Sequence, residues 1–201
     1  MRKYIGMDKI SIKDRRIAKD HPNIVLNVNA IAKGYSADIV ALFLEQHKCL
    51  NYLVEIGGEI RVRGENLHGE DWRIGIDRPS ESNLIPGQDM QAILQITNKG
   101  IATSGNYRQF YIENGEKITH TINPATGYPA QHNLLSTTVI ANDCLTADAY
   151  ATAFLVAGVD KSLEWINNNA EIEAIFICDE DGEYKMYCTP ALEDKIIQGD
   201  E

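Results

Sequence analysis

The chain is short of several things that would mark particular protein classes. No apolar run is long enough to span a membrane, and the opening residues do not follow the pattern of a secretory leader. Cysteine is scarce: Cys49, Cys144, Cys178 and Cys188 lie far apart with no C-x-x-C pair, which fits neither a zinc site nor a disulfide framework and reads as scattered core or surface thiols. Positive charge is scarce too. Nineteen Lys and Arg face 29 Asp and Glu, a formal net charge of -10, so sequence-independent nucleic-acid binding is excluded because phosphate contacts need clustered cations. An anionic substrate would need a local cation or a metal. There are no repeats and no low-complexity segments. What remains is ordinary: 201 residues, 44% apolar and 24% charged, enough to bury a core as one domain over residues 1–201.

The patterning predicts a mixed α+β chain with mostly antiparallel strands. "NIVLNV" has the β-branched bias of a strand. In "GYSADIVALFLEQHK", Ala37, Val40, Ala41 and Leu44 recur at helical spacing. "YLVEIGGEIRVRG" reads as two strands about a tight Gly57-Gly58 turn, and "WRIGID" as a strand stopped by Pro79. "QAILQITNKGIATSG" and "YRQFYIENGEKITHTI" supply further strands, and "NPATGYP" is loop chemistry. Asp143 is a good N-cap for a helix over "CLTADAYATAFLVAG" ended by Gly158. A second helix follows from Asp160 to about Asn168, and "EIEAIFIC" and "YKMYCTP" close the chain with a strand pair. The start, "MRKYIGMDKISI", reads like the middle of a domain, so a larger domain is expected to begin upstream.

Several residues have the chemistry of a site. Asp148 and Thr152 are one helical turn apart among small alanines; a carboxylate, a hydroxyl and nearby carbonyls are hard oxygen donors that suit Mg²⁺. The same spacing also suits an exposed Asp beside a Thr bonded back to its own helix. Strand alternation puts Ile118, His120 and Ile122 on one face, which fits a half-buried histidine or a site residue beside the "NPATGYP" loop. Lys33 and Gly34 can offer an ammonium and open N–H groups at a helix start, where phosphate is favoured, or simply a solvated lysine. Gly57-Gly58 can admit a planar ligand against bare backbone, or form a turn. No Ser-His-Asp order can be argued around Ser104.

The order of these blocks is more specific than any one of them. "NAIAKGYSAD", "LVEIGGEIRVRG", "WRIGIDRP", "IATSGNYRQFY", "THTINPATGYP" and "TADAYATAFLVAG" together resemble the ApbE family of FAD:protein FMN transferases, over nearly the whole chain. The resemblance implies a T-fold-like α+β domain and a Mg²⁺-dependent reaction. FMN passes from FAD to a Thr hydroxyl of a target protein, a subunit of a membrane redox complex, and AMP is released. Some members instead hydrolyse FAD to FMN and AMP, and a non-catalytic flavin-binding module is a further alternative. By motif, the resemblance assigns Asp148, Thr152 and the carbonyls of Ala30 and Ala151 to the metal. It assigns Asn27, Lys33, Gly57, Gly58, His120 and Ile122 to the FAD site, with Lys33 facing a phosphate or ribose at the helix entrance. On the same resemblance His120 is the candidate to assist proton transfer from the acceptor hydroxyl, a role that a carboxylate such as Asp148 can share.

Two departures carry consequences. Asn27 stands where the family usually has Asp and lacks its negative charge. The family's N-terminal third, which supplies part of the nucleotide pocket and the leader with its lipid anchor, is expected to lie outside these 201 residues. The 201-residue chain is therefore expected to transfer flavin weakly or not at all by itself. The resemblance also places the protein at the extracytoplasmic or periplasmic face of the inner membrane, attached only through that anchor.

Overall fold

A computed structural model of the chain describes residues 2–80, 82, 83, 85, 87–106, 110–113, 116–119, 122–130 and 132–198. Two short 3-10 turns, Arg2–Tyr4 and Met7–Lys9, lead into a hairpin of β1 (Ile10–Lys13) and β2 (Arg16–Lys19). The helix α1 (Asn29–Gln46) follows, then β3 (Tyr52–Ile56), β4 (Glu59–Arg63), β5 (Trp72–Asp77), β6 (Met90–Ile96) and β7 (Gly100–Gly105). A small hairpin of β8 (Phe110–Glu113) and β9 (Glu116–Thr119) precedes β10 (Leu134–Ala141), α2 (Cys144–Ala157), α3 (Val159–Asn167), β11 (Glu173–Glu180), β12 (Glu183–Cys188) and β13 (Ile196–Gln198).

The centre is an antiparallel sheet in the order β12-β11-β10-β7-β4-β3. Its strands alternate cleanly, and each face is buried against something different. Val62, Ile101, Ile140, Ile175 and Ile177 face a second sheet, ordered β13-β6-β5, and meet its Ile74, Ile76, Leu94 and Ile96. The alternate residues Ala102, Val139, Ala141, Ala174 and Phe176 face the helices α2 and α3. At the β3 end of the sheet, Tyr52 and Val54 pack on Ala37 and Ala41 of α1. The architecture is therefore three layers: helices, six strands, three strands.

Gly57 and Gly58 make the two-residue turn between β3 and β4 with φ of 62° and 99°, the left-handed pair a tight hairpin demands. Asp143 caps α2 by accepting the Thr146 N–H at 2.7 Å, and α2 ends at Gly158 with φ 83°.

"NIVLNV" is not a strand: residues 24–28 pair with nothing in a ladder. Lys19 ties down the carbonyls of Pro22 and Ile24 instead, and Asn27 accepts the Asn29 N–H at 2.8 Å, turning the chain into α1. β-branched residues without a partner strand have no ladder to join. Two consequences follow. The helix begins at Asn29, several residues before the apolar periodicity suggests. Its buried stripe is the small one, Gly34, Ala37 and Ala41, while Val40 stays 40% exposed and Tyr35, Ile39, Leu42 and Phe43 form an apolar outer face.

Candidate functional site

The site is built where α1 crosses α2, and small residues make the crossing close. A Cβ on Gly34 would lie 2.3 Å from the Cys144 carbonyl oxygen and 2.8 Å from the Asp148 Cβ, so only glycine fits. The Gly34 N–H donates to Oδ2 of the buried Asp148 at 3.0 Å, joining residues 114 apart in the chain. In a regular helix that N–H belongs to the carbonyl of Ala30. Sharing it with Asp148 leaves the Ala30 oxygen with acceptor capacity.

The start of α2 is fixed from two sides. Asp38 of α1 accepts the N–H groups of Cys144 and Leu145 at 2.9 and 2.8 Å, and Asp143 accepts the N–H and the hydroxyl of Thr146 at 2.7 and 2.9 Å. Three of the four orphan donors at the helix start thus meet carboxylate oxygens, which also complement the helix dipole. One turn beyond Asp148, the Thr152 hydroxyl lies 3.1 Å from the Ser104 hydroxyl of β7.

Beside this crossing the second turn of α1 presents Lys33. Its ammonium donates to Oε1 of Glu59 at 2.5 Å and to the Gly57 carbonyl at 3.3 Å. The lysine side chain is half in solvent, 49% exposed, whereas that of Glu59 is 3% exposed. Oε2 of Glu59 is buried and accepts no hydrogen bond among the described residues. Burial pushes the Glu59 carboxyl above the usual range; the Lys33 ammonium opposes this, and the negative charge of Asp148 adds to it. Burial, with the charges of Asp38, Glu59 and Asp148 around it, pushes the Cys144 thiol up to about 12. Cys144 is therefore an inert small apolar residue and not a nucleophile.

On the opposite side of the sheet a cleft of about 670 Å³ opens between the β3–β4 turn and β5–β6. Gly57 and Gly58 line it with Leu53, Glu55, Arg73 and Asp77. The glycine turn thus borders both the Lys33 cluster and this cleft.

The structure brings together Lys33, Gly34, Gly57, Asp148 and Thr152, read from three separate stretches. It corrects one placement: Lys33 and Gly34 stand in the second turn of α1 and not at its entrance, and the Gly34 N–H is engaged and not open. Asn27 lies at the entrance and is spent on the turn into α1. Ala151 is fully buried inside α2. Ile122, 48% exposed, bridges Pro129 and closes the loop in which Asn123 accepts the N–H groups of Ala125 and Gly127. His120 lies outside the described residues. Sequence reasoning missed Glu59 and Asp38. Glu59 alternates with Arg61 and Arg63 along β4, which reads as a solvated face; only the packing of α1 across that face buries it.

Among the described residues, no group of three or more His, Cys, Asp and Glu converges as a protein cage for a metal. One buried carboxylate, two hydroxyls and a carbonyl with spare capacity do fit Mg²⁺, which takes few protein ligands and completes its shell with water and substrate phosphates.

A model of the ApbE family matches residues 1–176. The chain is 41% identical over 170 residues to the FAD:protein FMN transferase of Haemophilus influenzae, covering 83% of this chain and 48% of that one. It is 35% identical over 191 residues to the enzyme of that name from Vibrio cholerae, covering 95% and 56%. It thus spans about half the length of these curated relatives. The solved flavin transferase ApbE from Vibrio cholerae superposes with a TM-score of 0.82 at 34% identity, over 96% of this chain and 60% of that one. The flavinyl transferase from Pseudomonas stutzeri does so at 0.79 and 32%, over 96% and 58%.

Proposed function

Since the chain belongs to the ApbE family, we propose that it carries the metal and phosphate half of a site that moves FMN from FAD to a threonine hydroxyl of a protein, with release of AMP. The observation that carries this reading is the Gly34–Asp148 contact beside Lys33. It bonds a buried carboxylate to the backbone of the residue that follows Lys33 where two helices cross, so one turn of α1 serves both a candidate cation ligand and an ammonium, as binding of a pyrophosphate and its counter-ion requires.

In this reading Asp148, Thr152 and the carbonyls of Ala30 and Ala151 hold Mg²⁺, which when bound neutralises charge gathering on the phosphate oxygens. Lys33 orients a phosphate from the other side. Gly57 and Gly58 let the nucleotide lie against bare backbone, with Asn27 and Ile122 at the pocket's margin. The acceptor hydroxyl oxygen forms a bond to the FMN phosphorus, the pyrophosphate P–O bond breaks, AMP leaves, and His120 takes the hydroxyl proton. The acceptor is a subunit of a membrane redox complex, and the reaction runs on the extracytoplasmic side of the inner membrane.

The test is a titration of the 201-residue chain with FAD, with and without Mg²⁺, following flavin fluorescence and AMP by chromatography. Mg²⁺-dependent binding that Asp148→Ala abolishes is the expected result, with little transfer. Equal binding by Asp148→Ala with unchanged Mg²⁺ dependence sinks the metal assignment. Free FMN as the product points to a pyrophosphatase, and binding with no AMP at all points to a flavin-binding module.

A further inference from the structure

Glu59 is the least explained charge in the molecule. Its side chain is 3% exposed, one oxygen is 2.5 Å from the Lys33 ammonium, and the other accepts nothing among the described residues. Burying a carboxylate this way costs stability unless both oxygens are paired, and here one is not. Its partner is unlike it: Lys33 is half in solvent, on a long flexible stem with rotamer freedom to lose. Such a pair is a poor stabilising device, because the lysine end is wet and the glutamate end is under-satisfied. It is a good tether. An ammonium has three donors; Glu59 and the Gly57 carbonyl take two. The packing of the Lys33 stem points the same way, since a Cβ on Gly57 would lie 3.2 Å from Lys33 Cδ.

We propose that Glu59 is a positioning residue: it fixes the Lys33 ammonium at the Gly57–Gly58 turn and leaves it one donor for an anionic phosphate oxygen. The last part rests on the FAD reading above; the tether itself does not. Held this way, the donor is in place before the ligand arrives, so binding need not order a free lysine. The carboxylate also tempers the positive charge, so that the ammonium can release its anion after reaction.

Trace acetylation of the 201-residue chain, quantified by peptide mass spectrometry, tests the tether without any ligand. Lys33 is normalised to the exposed Lys48 and Lys161 in the same sample. In the wild type Lys33 reacts more slowly than either. Glu59→Ala raises its relative rate about tenfold, as loss of a charge-assisted bond requires. Glu59→Gln, which keeps the volume and a weaker neutral acceptor, raises it about threefold. Near-ultraviolet circular dichroism confirms that each variant is folded, and the glutamine variant suffices if the alanine one is not. An unchanged ratio overturns the tether. FAD with Mg²⁺ should then protect Lys33 in the wild type, and Lys33→Met should weaken FAD binding about tenfold in the wild type but less than twofold in Glu59→Ala. Equal losses in both backgrounds mean that Glu59 does not act through Lys33, and overturn its positioning role. Absence of FAD protection with the acetylation effect intact overturns the FAD reading and leaves the tether standing.

Discussion

The two faces of the six-stranded sheet are built on different principles. One is dominated by aliphatic residues: Val62, Ile101, Ile140, Ile175 and Ile177 meet Ile74, Ile76, Leu94 and Ile96, with Trp72, Tyr184 and Met186 packed at the margin. The other packs Phe154, Leu155 and Phe176 under α2 and α3, but where α1 crosses α2 it is lined with small residues, Gly34, Ala37, Ala41, Ala147 and Ala151, and admits Glu59, Asp148 and Asp38 among them. Large side chains fill space and stabilise by area removed from water. Small ones let backbones approach until an N–H of one helix reaches a carboxylate of the next. The helix face has a core of its own and, at the crossing, the charged cluster as well.

Perturbing the aliphatic face and the crossing should have different effects. Leu94→Ala, in the aliphatic face, should have the largest effect on stability, about 2–5 kcal/mol by urea denaturation, and leave the Lys33 acetylation ratio unchanged. A shift in that ratio would mean that the faces are not independent. Gly34→Ala should cost about 1–3 kcal/mol, because the new Cβ meets backbone that cannot swing aside. It should also abolish any Mg²⁺-dependent FAD binding, so stability and binding fall together only on this face.

Lys33→Met sharpens the contrast through pH. It leaves Glu59 buried with no counter-charge, at a cost of about 1–3 kcal/mol at neutral pH. The Glu59 carboxyl already stands above its ordinary range, and removing Lys33 raises it further. A raised carboxyl favours folding while it is protonated, so the deficit is absent below the unfolded value of about 4.3 and opens as pH rises through the folded value. Thermal unfolding at pH 4 and pH 7 should show the gap to wild type only at the higher pH, and Glu59→Gln in the same chain should close it. The smallest effect belongs to Asp143→Ala, about 1 kcal/mol by the same measurement, cushioned because Asp38 still holds the neighbouring N–H groups.

Much of the local architecture was legible in the residues. Gly57-Gly58 between alternating runs specified its hairpin, Asp143 and Gly158 marked the ends of α2, and β11 and β12 showed in their β-branched and aromatic content. What stayed hidden depended on distant partners. "NIVLNV" has strand composition but no strand to pair with. Asp38 looks like a surface residue of α1, yet it caps a helix that begins 106 residues later. Glu59 sits in a row of charges that a local reading leaves in water. Of the candidate site, Asp148, Thr152 and Lys33 stood out by residue type, and the resemblance of their motifs assigned them roles. The pairs that give them their surroundings, Gly34 with Asp148 and Lys33 with Glu59, could be seen only once the helices were packed.

The span of the Gly34–Asp148 bond has a kinetic meaning. The hairpins β3–β4, β5–β6 and β11–β12 join neighbours in sequence and can form early, with little chain to order. The helix crossing joins residues 114 apart and needs the intervening strands already in register. During refolding, recovery of the site should coincide with the slowest phase, after most secondary structure has returned. A ligand that reads this crossing would count only finished molecules, and would leave every partly assembled one unseen.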